Sequence, residues 1–300
     1  MPRVWGGRAL ETTYSRALPD AQPYGESWEI SDRSCEQSEV ITGEFAGATL
    51  HDLWKGQREQ IFGSGLKGER FPLLMKILDA RDDLSIQVHP PASVASRLGG
   101  EPKTEMWYIA EALPDSRLYL GLRNGITREQ FETSIREGSV DQSVHSVQPR
   151  AGQSIFIPSG RLHAIGAGML IFEIQQNSDT TYRTFDWNRV GLDGKPRDLH
   201  IAESLESIDF DDFEPEMNQP EDQSLAVCKH FKVELLKLSP GTTIGNPDPD
   251  RFSILAIVNG KLCSSDKREY FAGDFLLLPR GQERLKAASE TSLLQTTIPR

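Results

Sequence analysis

Three residues in the first half of the chain have the types and spacing of a metal site. Gln87 and His89 are separated by one residue in the segment QVHP, and Glu105 closes the later segment KTE. On a β-strand alternate side chains share a face, so Gln87 and His89 would point into the same space. A carboxylate from the next strand would add a third ligand, and a further histidine is needed to complete the site.

His163, which follows the turn signal PSG, is the natural candidate for that further ligand. With Gln87, His89 and Glu105 it would offer one amide oxygen, two imidazoles and one carboxylate. This donor set suits zinc, iron(II), manganese or nickel, and a zinc site of this kind keeps an open position for water or substrate. A lone histidine in a strand is more often a hydrogen-bonded structural residue, so spacing alone leaves a structural role open.

Three cations suggest that an anionic ligand binds near these residues. Lys76 lies within the apolar segment FPLLMKIL, where a charge is costly unless it meets a partner or faces a cleft. Lys103 is two residues from Glu105 and would share its face of a strand, and Arg183 lies in the polar segment NSDTTYRTFDWNR. Each cation taken singly could be a salt-bridged or snorkelling residue. Together they favour a pocket for an anionic ligand.

Short strands separated by turns are predicted to position these side chains. Gly and Pro recur at short intervals with β-branched or aromatic runs between them, which is typical of a β-sandwich or barrel. Strands are predicted at 71–78, 155–157, 169–176 and 180–185. Helical signal is sparse, and short helices are predicted at 51–60, 92–99 and 127–137. The expected fold class is therefore mainly β with a few short helices.

Two strand-rich segments flank an acidic stretch that reads as a linker. Residues 209–223 are rich in Asp and Glu and contain two prolines. Beyond them AGDFLLLPRG parallels the earlier AGQSIFIPSG, which predicts two related β-barrels. We expect a catalytic, metal-containing domain over 1–208 and a C-terminal domain over 224–300. No histidine follows His230, so the second domain is expected to lack metal ligands and to be structural.

The bulk composition excludes several classes of partner. The net charge is −11, which argues against a nucleic-acid backbone, because such binding depends on clustered Lys and Arg. No apolar run approaches the ~20 residues that span a bilayer, and the start of the chain lacks the apolar core of a signal peptide. We therefore expect no membrane partner and a cytoplasmic location. The cysteines form no CxxC, so neither a disulfide framework nor a zinc knuckle is predicted.

Four segments carry a resemblance to a known family. They are WGGRAL with the following YGESWEIS, FPLLMKILDARDDLSIQVHPP, KTEMWYI, and IPSGRLHAIGAGMLIFEIQQNSDTTYRTFDWNR. In this order and rough spacing they resemble type I mannose-6-phosphate isomerases in their short bacterial form. The resemblance runs from Trp5 to about Arg189, and over the C-terminal part it is weaker and concerns architecture only.

The resemblance implies a cupin fold with two jelly-roll β-barrels. It implies one zinc ion per chain, held by Gln87, His89, Glu105 and His163. It also implies a sugar-phosphate substrate, with mannose 6-phosphate and fructose 6-phosphate interconverted through a cis-enediol(ate). Arg183 falls on the arginine regarded as catalytic in the family. The positions that line the family's sugar pocket correspond to Lys76, Lys103, Glu173 and Asp179.

Several points stay open at this stage. The general base could be Glu173, Asp179 or a zinc-bound hydroxide. The helical insertion of longer family members is absent, so a lid over the pocket is expected from the helices at 92–99 and 127–137. Two rival functions are an iron(II) oxygenase built on two histidines and a carboxylate and a sugar-phosphate-binding protein without catalysis. The oligomeric state is open between monomer and homodimer.

Overall fold

The computed structural model describes residues 1–41, 43–281 and 284–300. The chain is mainly β with a few short helices, as predicted. Within the described residues the strands are β1 Pro2–Gly7, β2 Glu26–Ile30, β3 Asp32–Arg33, β4 Glu36–Gln37, β5 Leu73–Ala80, β6 Ile86–Val88, β7 Glu105–Ala112, β8 Leu118–Leu122, β9 Val144–Val147, β10 Ser154–Ile157, β11 His163–Ile165, β12 Met169–Gln176, β13 Tyr182–Phe185, β14 Ser224–Val227, β15 Lys232–Leu238, β16 Thr243–Gly245, β17 Ser253–Asn259, β18 Lys261–Cys263, β19 Glu269–Phe271, β20 Phe275–Leu278, β21 Arg284–Ala287 and β22 Thr291–Thr297. The helices are α1 Ala9–Thr12, α2 Leu50–Gly56, α3 Arg58–Ile61, α4 Ala92–Ala95, α5 Arg128–Glu137 and α6 Ile201–Ser207, with a 3₁₀ turn at Val140–Gln142.

The chain divides into two compact units. The first unit comprises residues 1–27 and 76–220, and the second comprises 28–75 and 221–300. Residues 28–75 therefore group with the C-terminal part of the chain, whereas a division by sequence order assigns them to the N-terminal domain. The division at an acidic linker stays a prediction.

Two antiparallel sheets face each other in the first unit. The strand order is β10-β7-β12-β5-β2 in the first sheet and β13-β6-β11-β8-β9 in the second. Their facing sides share a buried apolar core, to which the first sheet contributes Leu78 and Ile171 and the second contributes Leu120 and Ile165. Burial of this apolar surface is what holds the sheets together. Polar side chains among these strands are consequently placed in a water-poor interior.

The second unit has its own pair of antiparallel sheets. Their strand orders in the described residues are β14-β15-β22-β17-β20 and β16-β21-β18-β19. A separate core joins them, with Leu255 and Leu293 from one sheet and Leu262 and Leu285 from the other. The two similar motifs, AGQSIFIPSG and AGDFLLLPRG, contain β10 and β20. Each of these strands is the edge strand of a five-stranded sheet. The motif therefore has the same position in each sheet.

Local sequence signals explain where α5 and β5 begin and end. Thr127 accepts a hydrogen bond from the backbone N–H of Gln130, whose side chain accepts from the N–H of Thr127, and Gly138 ends the helix with φ of 70°. β5 ends at Ala80, two residues past the predicted end at Leu78, so Asp79 lies in the strand. Its Oδ2 accepts the N–H of Ala9 at 2.6 Å, which fixes the start of α1.

The first half of the acidic stretch lies against the first unit, to which it belongs as far as Pro220. The carbonyl of Asp212 accepts the N–H of Leu122 at 2.9 Å, and its carboxylate accepts two hydrogen bonds of 2.8 Å from Arg161. Asn218 exchanges backbone hydrogen bonds with Ser154. These contacts hold residues 212–218 against the first unit.

No helix in the described residues combines the length and the apolar character that crossing a membrane requires.

Candidate active site

A row of three polar side chains crosses the second sheet of the first unit. Arg183 on β13 is opposite Gln87 on β6, and Gln87 is opposite His163 on β11. Residues directly opposite in a sheet project to the same face, and neighbouring strands lie about 4.8 Å apart. The backbones of His163 and Arg183 are therefore about 10 Å apart, with Gln87 between them.

His89, Glu105 and His163 form a buried cluster at one end of this row. His89 follows the last residue of β6, and Glu105 begins β7 on the facing sheet. Nε2 of His89 is 3.5 Å from Oε2 of Glu105, and Nε2 of His163 is 3.6 Å from Oε1. One ligand atom of each residue lies within 4.8 Å of the others. The side-chain amide of Gln87 reaches the same place, 3.4 Å from Nε2 of His163.

Backbone carbonyls fix the orientation of both imidazoles. Nδ1 of His89 is 2.8 Å from the carbonyl oxygen of Thr180, and Nδ1 of His163 is 2.9 Å from that of Arg161. A carbonyl only accepts, so Nδ1 carries the proton and Nε2 of the neutral ring keeps its lone pair. Burial lowers the pKa of His89 and lowers that of His163 to about 3, so both rings are neutral at pH 7. Metal-binding histidines are oriented in this way.

The Glu105 carboxylate supplies the negative charge of the cluster. Burial alone would raise its pKa, but the ammonium of Lys103 holds that pKa well below the usual range. Nζ of Lys103 lies 2.5 Å from Oε2, yet neither carboxylate oxygen has a hydrogen bond of acceptable geometry within the described chain. Buried acceptors lacking hydrogen bonds are rare in native proteins and often mark a site for an ion. With two neutral imidazoles beside it, this carboxylate forms a donor set that fits a divalent transition metal such as zinc.

Lysines and carboxylates alternate on the first sheet next to the cluster. The carboxylate of Glu173 on β12 lies 3.6 Å from Nζ of Lys76 and 3.6 Å from Nζ of Lys103. Lys76 on β5 also lies 3.6 Å from Glu26 on β2. The indole N–H of Trp107 donates to Oε1 of Glu173 at 3.1 Å. Glu173 is therefore held in a defined position by a donor and two cations.

The protonation of this network follows from its burial and its charges. Burial raises the pKa of Glu173 to about 7. The nearby charge of Glu105 also raises this pKa, whereas the charges of Lys103 and Lys76 lower it. For Lys103 burial alone would lower the pKa, but the carboxylates of Glu105 and Glu173 raise it above its ordinary value. Lys103 is thus charged at neutral pH. Glu173 has the property of a group that takes up and releases a proton near pH 7.

The cluster and the network adjoin a cavity of about 580 Å³, a volume usual for small-molecule sites. The predicted residues that line it are Lys76, Gln87, Lys103, Glu173, Asp179 and Arg183. Nη1 of Arg183 donates to the carbonyl of Asp198 at 2.8 Å. Its Nε is buried without a hydrogen-bond partner among the described residues. The arrangement offers a metal site, a fixed guanidinium and carboxylates around one water-poor space.

Comparisons with known proteins identify the family of the chain. Residues 2–106 match the family model of the catalytic domain of phosphomannose isomerase type I. Mannose-6-phosphate isomerase ManA of Bacillus subtilis strain 168 is 38% identical over 297 residues, which cover 95% of this chain and 92% of that relative. The chain belongs to the type I phosphomannose isomerase family.

Two further phosphomannose isomerase relatives extend the comparison. The probable mannose-6-phosphate isomerase GmuF of the same Bacillus strain is 42% identical over 208 residues, which cover 69% of this chain and 65% of that relative. The crystal structure of the mannose 6-phosphate isomerase from Bacillus subtilis has a TM-score of 0.88 at 29% identity and covers 99% of this chain and 97% of that one. The likeness therefore extends over both units.

The phosphomannose isomerase fold brings together the residues that the sequence singles out. Three of the four expected metal ligands form the buried cluster, and the amide of the fourth, Gln87, adjoins it. Lys76, Lys103, Glu173, Asp179 and Arg183 all line the same cavity. Their catalytic and binding roles stay predictions.

Sequence reasoning missed three residues at the cavity. Trp107 follows Glu105 by two positions, so strand alternation would have placed its indole on the face of the cluster. Glu26 and Arg197 carry no local signal that relates them to the site. A lid over the pocket from the helices at 92–99 and 127–137 stays a prediction. Among the described residues the wall includes none from either helix and is formed in part by Gly191, Leu192, Asp193 and Arg197.

Proposed function

We propose that the chain interconverts mannose 6-phosphate and fructose 6-phosphate, with one zinc ion per chain. The proposed zinc ligands are Gln87, His89, Glu105 and His163. The observation that carries the proposal is the buried cluster of two neutral imidazoles and a carboxylate beside a cavity that also contains Arg183. Membership of the phosphomannose isomerase family supports the choice of substrate.

The reaction is an aldose–ketose isomerisation. A proton leaves carbon 2 of the aldose and returns to carbon 1 through a cis-enediol(ate), so negative charge gathers on the oxygens of these carbons. A bound zinc ion supplies a Lewis acid that stabilises this charge. The chain's own contribution is a preorganised and water-poor site, in which fixed charges act more strongly than they do in water.

Arg183 is the group that we assign to the developing oxyanion. Burial lowers its pKa, and neighbouring guanidiniums lower it further, but arginine stays protonated in proteins. The carbonyl of Asp198 holds its Nη1 in place. It lies opposite Gln87, one of the proposed zinc ligands, in the row across the sheet. It can therefore donate hydrogen bonds to a substrate oxygen but cannot act as the base.

Glu173 is the group that we assign to proton transfer. Glu173 is 3% exposed and lines the cavity, and the indole N–H of Trp107 positions its carboxylate. A pKa near 7 suits a base that must both accept and return a proton at neutral pH. Asp179 lines the same cavity and is the alternative. Glu173→Gln should lower kcat far more than Asp179→Asn does, and the reverse ranking would transfer the role to Asp179.

A coupled assay that detects fructose 6-phosphate formed from mannose 6-phosphate tests the function directly. Zinc-loaded protein should turn over, and His163→Ala should lose both zinc and turnover. His145→Ala is a matched control, because this half-buried histidine lies outside the cluster. Absence of fructose 6-phosphate with zinc supplied would refute the isomerase function. An oxygen-uptake measurement with iron(II) on the same sample tests the rival oxygenase.

A further inference from the structure

The lysines of the cavity are neutralised by carboxylates of the first sheet. Lys103 lies beside Glu105 and Glu173, and Lys76 lies 3.6 Å from both Glu26 and Glu173. Both lysines therefore already form ion pairs with carboxylates of the chain. A dianionic ligand that bound to either of them would also be repelled by the carboxylates that already pair with it.

After β13 two guanidiniums share one buried carboxylate, and Arg197 among them lines the cavity together with Asp193. Nε and Nη2 of Arg197 donate to the two oxygens of Asp186 at 2.7 and 2.5 Å, and Nε of Arg189 donates to Oδ1 at 3.1 Å. Asp186 is 6% exposed. One buried carboxylate is thus shared by two guanidiniums. The other carboxylate near Arg189 is that of Asp82, which is 3.9 Å away and 65% exposed, so solvent screens it.

Of Arg189 and Arg197, it is Arg197 that lines the cavity and has a donor nitrogen not bonded to Asp186. It lines the cavity, and its side chain is 22% exposed. Its Nη1 has no hydrogen-bond partner in the described part of the chain, whereas Nε and Nη2 are held by Asp186. The guanidinium is therefore fixed in position before any ligand arrives, which lowers the entropic cost of binding.

The order of the side chains along the cavity suits the two ends of a hexose 6-phosphate. The row across the second sheet runs from His163 through Gln87 to Arg183. Arg183 in turn contacts the carbonyl of Asp198, which directly follows Arg197. The cavity lining therefore includes Gln87, which adjoins the cluster, together with Arg183 and Arg197. A hexose 6-phosphate carries its reacting carbons at one end and its phosphate at the other.

We propose that Arg197 binds the phosphate group of the substrate, with Asp186 holding the guanidinium in place. A planar guanidinium matches phosphate oxygens with two parallel hydrogen bonds, which a lysine cannot provide. The inference rests on the proposed function. It adds an orientation of the substrate, with carbons 1 and 2 at the metal and carbon 6 towards the loop that carries Arg197.

Steady-state kinetics of Arg197→Gln test this assignment. KM for mannose 6-phosphate should rise roughly 10- to 100-fold, which is the loss of a charged hydrogen-bond pair, while kcat falls much less. The inhibition constant of inorganic phosphate, a competitive inhibitor on this account, should rise by a similar factor, and zinc content should not change. Arg197→Lys keeps the charge and loses the fork, so its KM should be intermediate. Arg136→Gln is the matched control, because Arg136 is an exposed residue of α5 outside the cavity lining, and it should behave as the wild type.

Unchanged KM and unchanged phosphate inhibition in Arg197→Gln would overturn the assignment. If Arg197→Gln does not fold, Arg197→Lys provides the test. A wild-type KM for Arg197→Lys would contradict the proposed pair of hydrogen bonds from the guanidinium to the phosphate. A wild-type protein that does not isomerise mannose 6-phosphate would instead refute the proposed function. In that case calorimetry with inorganic phosphate still tests Arg197, because the wild type should bind it more tightly than Arg197→Gln, and equal affinities contradict the assignment.

Discussion

Replacing Lys103 by methionine should destabilise the metal-free protein. Its ammonium lies 2.5 Å from Oε2 of Glu105 and 3.6 Å from Oε1 of Glu173, and the side chain is 5% exposed. At an effective dielectric constant of ~20 these attractions are about 7 and 5 kcal/mol. Desolvation of the ammonium offsets several kcal/mol of this gain, so a net loss of about 3–5 kcal/mol is expected when one partner of such a buried network is removed.

Zinc should recover part of this loss, because a divalent cation at the cluster would compensate the charge of Glu105. The free energy of unfolding in urea, followed by tryptophan fluorescence, would be measured for chelator-treated and zinc-loaded protein. Lys232→Met is the matched control: its ammonium pairs with Glu234 at 2.8 Å but is 40% exposed, so a change under ~1 kcal/mol is expected.

The double variant Lys103→Met with Glu173→Gln separates charge from packing. It removes one cation and one carboxylate together, so it should be more stable than Lys103→Met alone. The reasoning is refuted if Lys103→Met costs the metal-free protein no more than Lys232→Met does. A double variant that is less stable than Lys103→Met would show that packing, not charge, dominates at this position.

Three further predictions concern the cluster and its supports. Arg183→Ala should lower kcat on the order of 100-fold or more with zinc content unchanged, and loss of zinc in this variant would make Arg183 a structural residue. Asp212→Ala removes two hydrogen bonds from Arg161, whose carbonyl orients His163. Zinc affinity, measured by competition with a chelator, should therefore fall roughly 10- to 100-fold. An unchanged affinity would contradict the role of Asp212 in orienting His163. Because the folded-state pKa of His163 is about 3, below its ordinary value of 6.5, the metal-free protein should lose stability as the pH falls from 6.5 towards 3. His163→Gln should flatten this dependence in urea unfolding series, and equal slopes would contradict it.

Local rules were sufficient to place part of the site from the sequence. Strand alternation put Gln87 and His89 in one space, and the offset of two put Lys103 beside Glu105. The same rule applied once more would have found Trp107. These inferences succeed because the side-chain period of a strand is a property of the backbone and does not depend on the rest of the fold.

Residues that arrive through distant pairing could not be placed in this way. Glu26 reaches the network because β2 adds to the sheet beside β5, and the sequence near Glu26 does not specify that neighbour. Arg197 lies in an irregular segment without periodic signal. Asp212 lies in a stretch whose acidic composition is typical of a linker, whereas its specific contacts with Arg161 hold it against the first unit. The composition of a segment indicates how readily it is solvated, but it does not identify the residues that its side chains contact.

Zinc titration of metal-stripped protein tests the central claim most directly. Conversion of mannose 6-phosphate to fructose 6-phosphate would be followed while zinc is added and bound zinc is measured in the same samples. Activity should be absent without metal, rise in proportion to bound zinc and level off at one zinc per chain, and His163→Ala should show no rise. Full activity in the stripped protein, or no activity at one bound zinc per chain, would contradict the account.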